Sequence, residues 1–498
     1  MTRDNSPKHR RRTATSRRTA FIAGTVLAAV MGTTAATTAE AVAAPVTAQD
    51  GDSAGAATEQ RRGARQLKPG VFHTPMGLTA KLSAKPSPAA EQQRLKSTLQ
   101  LSNAQSTGLY LPPQKRSAVI IDDTPESRAG KVKLHIGVPG AKEDGGEQRV
   151  ITLKPGSNIL RDRPGGMLYL SVEGDASASA TLETIGMAEA PRFVLGETSN
   201  KEFRELLDRP TNVPWVEYVS ERTVLTVDRA TALKYRDQDQ KRLMESYDTI
   251  ARVQDAVNNV GDGKKTRQTA TSPLVQHITL DSRKTEGVAR ATDGRVAFNP
   301  AYADVLLSPG KLAQRPHAIS SSLVHDKRTW DVWKELGRHR QLAPLGGDGF
   351  GEATASLYAT AVERHFRPVG GFTAGITSRL SQTLAKLREA DPSSADVQRA
   401  VMLDQLRLAY GPDFWPKVND LAIKDKPKHP RGSQDNLILM TSVVTGEDLR
   451  DFFAKSKMFP SKDAAKVLDK LDLRTPKHDP SAFENGRPKE GRVVGLSE

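Results

Sequence analysis

From Ala104 to about Thr184 the apolar positions fall in short runs separated by Gly, Pro and Asp. Ser117–Ile121, Val132–Ile136, Val150–Leu153 and Met167–Val172 are the clearest of them. Runs of this length and spacing predict a small β-sandwich. Beyond Ala190 the pattern is mixed. Val224–Val227 and Val275–Leu280 read as strands. Within Thr231–Val260, Leu243, Tyr247, Ile250, Val253 and Val257 recur at helical intervals, stopped by Gly261. Further helices are predicted at Trp330–Gln341, Gly351–His365 and Ala374–Ala390. Helical segments dominate Val397–Leu473, punctuated by Pro412, Pro416, Pro427, Pro430 and Pro460. Residues 44–100, rich in Ala, Ser, Gln and Arg, read as a flexible linker with a short helix near Glu91–Leu101. The expected fold class is α+β. An N-terminal β-sandwich (101–188) precedes a mixed domain (189–400), a helical C-terminal subdomain (401–475) and a disordered tail (476–498); no internal repeat is visible.

The first 43 residues change this picture only by falling outside it. Arg10, Arg11, Arg12, Arg17 and Arg18 precede an apolar run from Ala20 to Met31 that is too short for a stable bilayer span, and Ala41-Val42-Ala43 has the form of a signal-peptidase site. Residues 1–43 therefore read as an export signal. Ser16-Arg17-Arg18 hints at the twin-arginine route, but Thr19-Ala20 displace the apolar pair, so the general route stays open beside it. Secretion or association with the cell envelope follows, and no later run is long enough to be a transmembrane segment. The segment's seven Lys/Arg and two Asp/Glu account for +5 of the formal +15, leaving +10 on the mature chain. An exported basic protein points to anionic envelope polymers or acidic polysaccharide rather than nucleic acid, with a simply solvated basic surface as the alternative. The chain has no cysteine, which removes disulfides, thiolate catalysis and thiolate zinc sites together.

The candidate chemistry lies in Trp330–Gln341 and at Glu352. On a helix, positions i and i+4 share a face, so two histidines there can hold one zinc ion, with a glutamate beside the first as general base and a third ligand from a following helix. Glu335 stands at the base position and Glu352 at the third-ligand position, but the two histidine positions hold Lys334 and Arg338. An ammonium or guanidinium has no lone pair for zinc and carries repelling charge. Gly337 costs a helix roughly 1 kcal/mol relative to Ala, which makes sense if another segment must approach closely there.

The surrounding text resembles the enhancin-like metallopeptidases, a group of bacterial mucin-type glycoprotein peptidases and viral enhancins. Their signature is W-x-x-W-H-E-x-G-H, then a Gln and a more distant Glu. Trp330, Trp333, Glu335, Gly337, Gln341 and Glu352 match; both histidines do not. Ser106–Tyr110 and Gly165–Tyr169 are similar to the family's accessory sandwich, Ala190–Gly196 and Val213–Glu217 to the entry of its catalytic region, Glu352–Tyr358 to its third-ligand helix, and Asp448–Phe453 to a C-terminal helical segment. Ser356 replaces the usual Asn, and Leu342–Gly351 keeps only Phe350 where an aromatic pair is usual. The resemblance implies a gluzincin-like catalytic domain over 189–400, a zinc cofactor and secreted glycoprotein substrates.

No nearby imidazole repairs the motif. His339 points about 100° away from Arg338 and about 140° away from Lys334 on a helix, His365 lies roughly 20 Å beyond Glu352, and His325 cannot be placed. The expectation is instead an ion network in which Lys334 and Arg338 neutralise Glu335 and Glu352, leaving Glu335 as a former general base and Glu352 as a residual ligand position. No cofactor is expected. The leading reading is an exported pseudopeptidase that binds glycoprotein, glycan or anionic envelope polymer; the substrate-binding residues are unknown. A second reading is an active zinc peptidase on O-glycosylated proteins with a non-standard ligand set. A third is an envelope adhesion or structural protein working through its sandwich.

Overall fold

The computed structural model describes residues 66–67, 71–74, 77–140, 148–175, 177–263, 267–280, 287–313, 327–367, 395–427, 430–484 and 487–488. The segment 1–43 expected to be an export signal, the predicted helix Ala374–Ala390 and His325 lie outside them.

The N-terminal region consists of two antiparallel sheets. One has the strand order Gln66–Leu67, Val71–Thr74, Gly77–Ser83, Ser179–Ile185, Ser117–Ile121 and Gly156–Leu160; the other runs Ala188–Glu189, Gln105–Leu111, Gly166–Val172, Val132–Ile136 and Arg149–Thr152. In Ser117–Ile121 and Val132–Ile136 burial alternates residue by residue, so one face of each turns to a shared core of Val119, Ile121, Leu134, Leu168, Leu170 and Leu182. Gly166–Val172 is buried at every position. Its second face, with Met167 and Tyr169, packs on Trp215 and Val224 of a third sheet and on Val275 just before another of its strands. A strand covered on both sides has no reason to alternate, which explains its unbroken apolar run.

That third sheet is mixed, in the order Arg192–Val194, Trp215–Val219, Thr223–Asp228, Gln276–Leu280, Arg295–Phe298, Ala289–Thr292. Thr223–Asp228 and Gln276–Leu280 run parallel, so the chain between them must cross over, and the helix Gln240–Val257 does so. Helices follow at Lys327–Gly337, Gly351–Phe366, Ala395–Tyr410, Phe414–Lys424 and Ser433–Thr445, in one continuous core with the mixed sheet. No helix among the described residues is long and apolar enough to cross a membrane.

Three boundaries differ from the sequence reading. The stretch 44–100 is not linker throughout: Gly77–Ser83 pairs with Ser179–Ile185 inside the first sheet, and Pro88–Leu95 is a helix capped by Ser87. The single helix expected over Thr231–Val260 is two, Arg229–Lys234 and Gln240–Val257, because the Asp239 side chain caps the second by accepting from the backbone N of Arg242. The tail expected to be disordered after Thr475 folds back as far as Glu484. Gln405 Nε2 donates to the carbonyls of Ser481 and Phe483, and Phe483–Glu484 pairs with Arg487–Pro488.

Candidate functional site

The helix Lys327–Gly337 is buried at every position from Thr329 to Gly337, including Asp331, Lys334 and Glu335. Trp333 seats it, donating from Nε1 to the Leu312 carbonyl at 3.0 Å. Two amides from elsewhere hold its backbone: Gln254 Nε2 donates to the Trp333 carbonyl and Gln276 Nε2 to the Leu336 carbonyl, each at 2.8 Å. The α-helix ends at Gly337 and continues as a 3₁₀ turn, Arg338–Arg340, not as α-helix to Gln341.

At Gly337 the helix Gly351–Phe366 comes close. A Cβ at Gly337 would stand 2.6 Å from Tyr358 Cβ. Tyr358 is fixed, its hydroxyl donating to the Arg340 carbonyl at 2.5 Å and lying 2.9 Å from Asn258 Oδ1. Gly337→Ala is therefore expected to destabilise the protein by about 1–3 kcal/mol, although alanine is the better helix former. Equal or greater resistance to urea in the variant would refute the close-packing account.

Gln341 ties the two segments together, donating from Nε2 to the Gly351 carbonyl at 2.5 Å and to Thr354 Oγ1 at 2.8 Å. Glu352, in the first turn of the second helix, is thereby set opposite Lys334 and Arg338. Ser356, at the position where the family usually has Asn, turns inward and donates to the Glu352 carbonyl at 2.9 Å.

The four charged side chains close on one another. Lys334 Nζ lies 2.7 Å from Glu352 Oε2 and 3.3 Å from Glu335 Oε1. Arg338 donates from Nε to Glu335 Oε2 at 2.5 Å and from Nη2 to Glu335 Oε1 at 3.1 Å, and its Nη2 also donates to Glu352 Oε1. The Glu335 side chain is 4% exposed and Lys334 10%, whereas Arg338 is 21% and Glu352 44% exposed, so one end of the network reaches solvent. Two cations balance two carboxylates, with charge-assisted bonds on every carboxylate oxygen.

Burial alone would raise the Glu352 pKa; Lys334 and then Arg338 outweigh it and hold the carboxyl at about 2, below its ordinary 4.5. For Arg338 burial acts downward, and Glu335 and Glu352 reverse it, holding the guanidinium above its ordinary value. A carboxyl depressed on folding adds stability that is complete above its unfolded value and is lost on acidification toward its folded one. The contribution of Glu352 is thus expected to fade from about pH 4.5 to pH 2. Half exposure and solvent screening limit it to about 1 kcal/mol. Urea midpoints across that window should fall less for Glu352→Gln than for the unaltered protein; parallel curves would contradict the assignment.

The fit of zinc to this arrangement is decided by its donors. Lys334 and Arg338 fill the space between Glu335 and Glu352 with groups that cannot ligate, and among the described residues no three His, Asp or Glu side chains gather as a metal site. The residues present do not fit the ion.

His339 is turned away from the network, though it lies in the 3₁₀ turn and not on the α-helix from which its direction was expected. It is 2% exposed and lies between the Thr292 carbonyl, 2.9 Å from Nε2, and Gln276 Nε2, 3.1 Å from Nδ1; burial lowers its pKa to about 4. His365 sits at the far end of the Glu352 helix against Phe366. The supports behind the site have no signature in the sequence. Arg340 pairs with Asp255 at 2.7 Å, Asp255 with Arg222 at 3.0 Å, and Asn258 Nδ2 donates to the Arg340 carbonyl at 2.7 Å. These partners lie 33 to 85 positions apart in the chain, and no local spacing signals them.

Residues 86–183 match the N-terminal domain of M60-like peptidases. In fold the chain is similar to a functionally unknown conserved protein from Bacillus anthracis str. Ames, with 20% identity, TM-score 0.71 and 84% of each chain covered. It is also similar to the ZmpB metallopeptidase from Clostridium perfringens, at 16% identity and TM-score 0.66 over 84% of this chain and 85% of that one. The M60 catalytic domain of Clostridium perfringens ZmpC, in complex with the sialyl T antigen, matches at 14% identity and TM-score 0.65 over 84% of each chain. No curated protein matches. Residues 186–457, more than half of the chain, match the family described as Peptidase M60, enhancin and enhancin-like, and the protein belongs to that family.

Proposed function

We propose that this protein is an exported pseudopeptidase that binds an O-glycosylated protein, or the glycan itself, without cleaving it. The observation that carries this reading is the network just described. Glu335, at the general-base position, is engaged on both oxygens by Arg338 and on one by Lys334, and the groups at the two histidine positions cannot bind zinc. Water near Glu335 therefore has no metal-bound state through which its proton could be taken. The surface reached by Arg338 and Glu352 remains open to a ligand. That the ZmpC M60 domain binds the sialyl T antigen makes a sialylated O-glycan the first candidate, and the basic mature chain suits an anionic sugar. Export, by the general or the twin-arginine route, is part of the proposal and rests on residues 1–43.

Titration calorimetry with a sialyl T glycopeptide, mass spectrometry of the peptide afterwards and zinc analysis of the protein test it together. Binding, an intact peptide and less than about 0.1 zinc per chain are expected. Cleavage by the unaltered protein would restore the active-peptidase reading. Binding undiminished by Glu352→Lys would move the ligand away from this surface, toward the sandwich.

A further inference from the structure

A second surface lies on the sandwich, on the sheet that contains Ser117–Ile121. In its strands Ser179–Ile185, Ser117–Ile121 and Gly156–Leu160, Leu182, Val119 and Leu160 point into the shared core, and the alternate positions turn outward. The register sets three outward residues side by side: Ile185 opposite Ala118, and Ala118 opposite Ile159. Ile185 is 43% exposed and Ile159 57%. The row is an apolar stripe across three strands, open to water.

Cations border this stripe. Ser117 pairs with Leu160, so Arg116 and Arg161 follow as the next neighbours across the two strands. The Gln114 backbone N donates to the Asp162 carbonyl at 2.8 Å, which draws the two flanking turns together and adds Lys115 and Arg163. All four residues are exposed, and none has an ion-pair or side-chain hydrogen-bond partner among the described residues. The carboxylate between Arg161 and Arg163 is already taken. Asp162 accepts from Arg149 Nε at 3.1 Å and Nη2 at 2.6 Å, and from the Gly165 backbone N at 2.9 Å. On the outward row, Glu183 comes two residues before Ile185 and pairs across with Ile120, so it stands off from the cations. Like charges held side by side on neighbouring strands repel, and an anion bound there would relieve the repulsion.

We propose that this face of the sandwich docks on an anionic lipid bilayer, with Lys115, Arg116, Arg161 and Arg163 at the headgroups and Ile159 and Ile185 at the edge of the acyl region. Charge and apolar contact together are what a reversible membrane contact requires. A soluble polyanion would use the cations and leave the two isoleucines in water.

Vesicle co-sedimentation tests this on the chain without residues 1–43, whose own basic and apolar run would bind lipid. Saturable binding to phosphatidylcholine vesicles containing about 30% phosphatidylglycerol is expected at low salt, with binding at least about tenfold weaker to phosphatidylcholine alone. Arg116→Gln with Arg161→Gln should weaken it about twenty-five-fold, since each basic residue near an anionic bilayer strengthens binding about fivefold. Ile159→Ser with Ile185→Ser should weaken it about tenfold. Lys201→Gln with Lys241→Gln removes the same charge from exposed helices of the mixed domain and should change it less than about twofold. Equal binding to both kinds of vesicle, or an equal loss in the Lys201 and Lys241 variant, would overturn the proposal. Unchanged binding in the isoleucine variant, displaced by dextran sulfate, would replace the bilayer with a polyanion. In the unaltered protein, vesicles should slow amide hydrogen exchange at Lys115–Ser117 and Ile159–Arg163. Protection only elsewhere would overturn the proposal even where a variant fails to fold. None of these residues contacts the Lys334–Glu352 network, so the outcome is independent of the glycan-binding test.

Discussion

Replacing Lys334 and Arg338 together by histidine is expected to convert a protein that binds almost no zinc into one that binds about one ion per chain. The geometry supports this because both side chains already reach the same carboxylate, Glu352, across the gap between the two helices. Imidazoles are shorter than either side chain. The double variant would therefore open a space edged by two nitrogen ligands and one carboxylate, with Glu335 freed of its cations. Gly337 and Gln341 hold the second helix at the required approach in the present structure. Each single variant should stay near zero, since one fixed cation remains in the site. Zinc present at a hundred times its dissociation constant would also stabilise the folded double variant by about 2.7 kcal/mol. A folded double variant that takes up no zinc would show that divergence from the zinc-binding members reaches beyond the two ligand positions. Uptake of zinc without glycopeptide cleavage would place the further divergence in substrate binding, for instance in Leu342–Gly351, where only Phe350 is aromatic.

Much of this site was legible because its logic is local. Lys334, Glu335 and Arg338 lie within five residues, and helical spacing alone puts the first and last on one face. Gly337 offered a close approach as one reading, beside that of an inherited feature, because glycine otherwise weakens a helix. The change to a 3₁₀ turn at Arg338 was not legible; it depends on how the following chain is held by Asn258 and Tyr358. The supports around Arg340 were hidden for the same reason, since Arg222 and Asp255 come from other elements of the mixed domain.

The fold shows the same division. Strands with a continuous or alternating apolar pattern, such as Val132–Ile136, stand where the pattern puts them. Gly77–Ser83 falls within the stretch whose composition suggests a linker, although Leu78, Ala80 and Leu82 alternate with Thr79, Lys81 and Ser83. Its surroundings are Ala-, Pro- and Ser-rich, and its pairing partner, Ser179–Ile185, lies about a hundred residues further on. The turn Pro480–Ala482 likewise takes its order from Gln405 and from Lys455, which pairs with Asp479, and not from its own composition.

Glu335→Ala is expected to lower stability by about 3–5 kcal/mol, far more than the loss of an exposed ion pair. Glu335 is the most deeply buried member of the network and bonds to both cations. Without it Lys334, only 10% exposed, and Arg338 share Glu352 alone, and a buried positive charge is left poorly compensated. This cost is not a measure of what the network adds. Taking four charges out of water is itself expensive, and well-packed apolar residues of similar volume are often as stable or more so. The combined variant Lys334→Met, Glu335→Met, Arg338→Met and Glu352→Gln is therefore expected to match the unaltered protein or exceed it by about 1–4 kcal/mol. Urea unfolding with an unchanged slope would give both comparisons directly. If Glu335→Ala cost less than about 1 kcal/mol, the four residues would behave as separate surface charges and not as a unit. If the combined variant instead lost as much as Glu335→Ala, the ion network would be a net source of stability. If both expectations hold, stability alone does not account for keeping four charges together, and a role at the solvent-facing end formed by Arg338 and Glu352 becomes the stronger explanation.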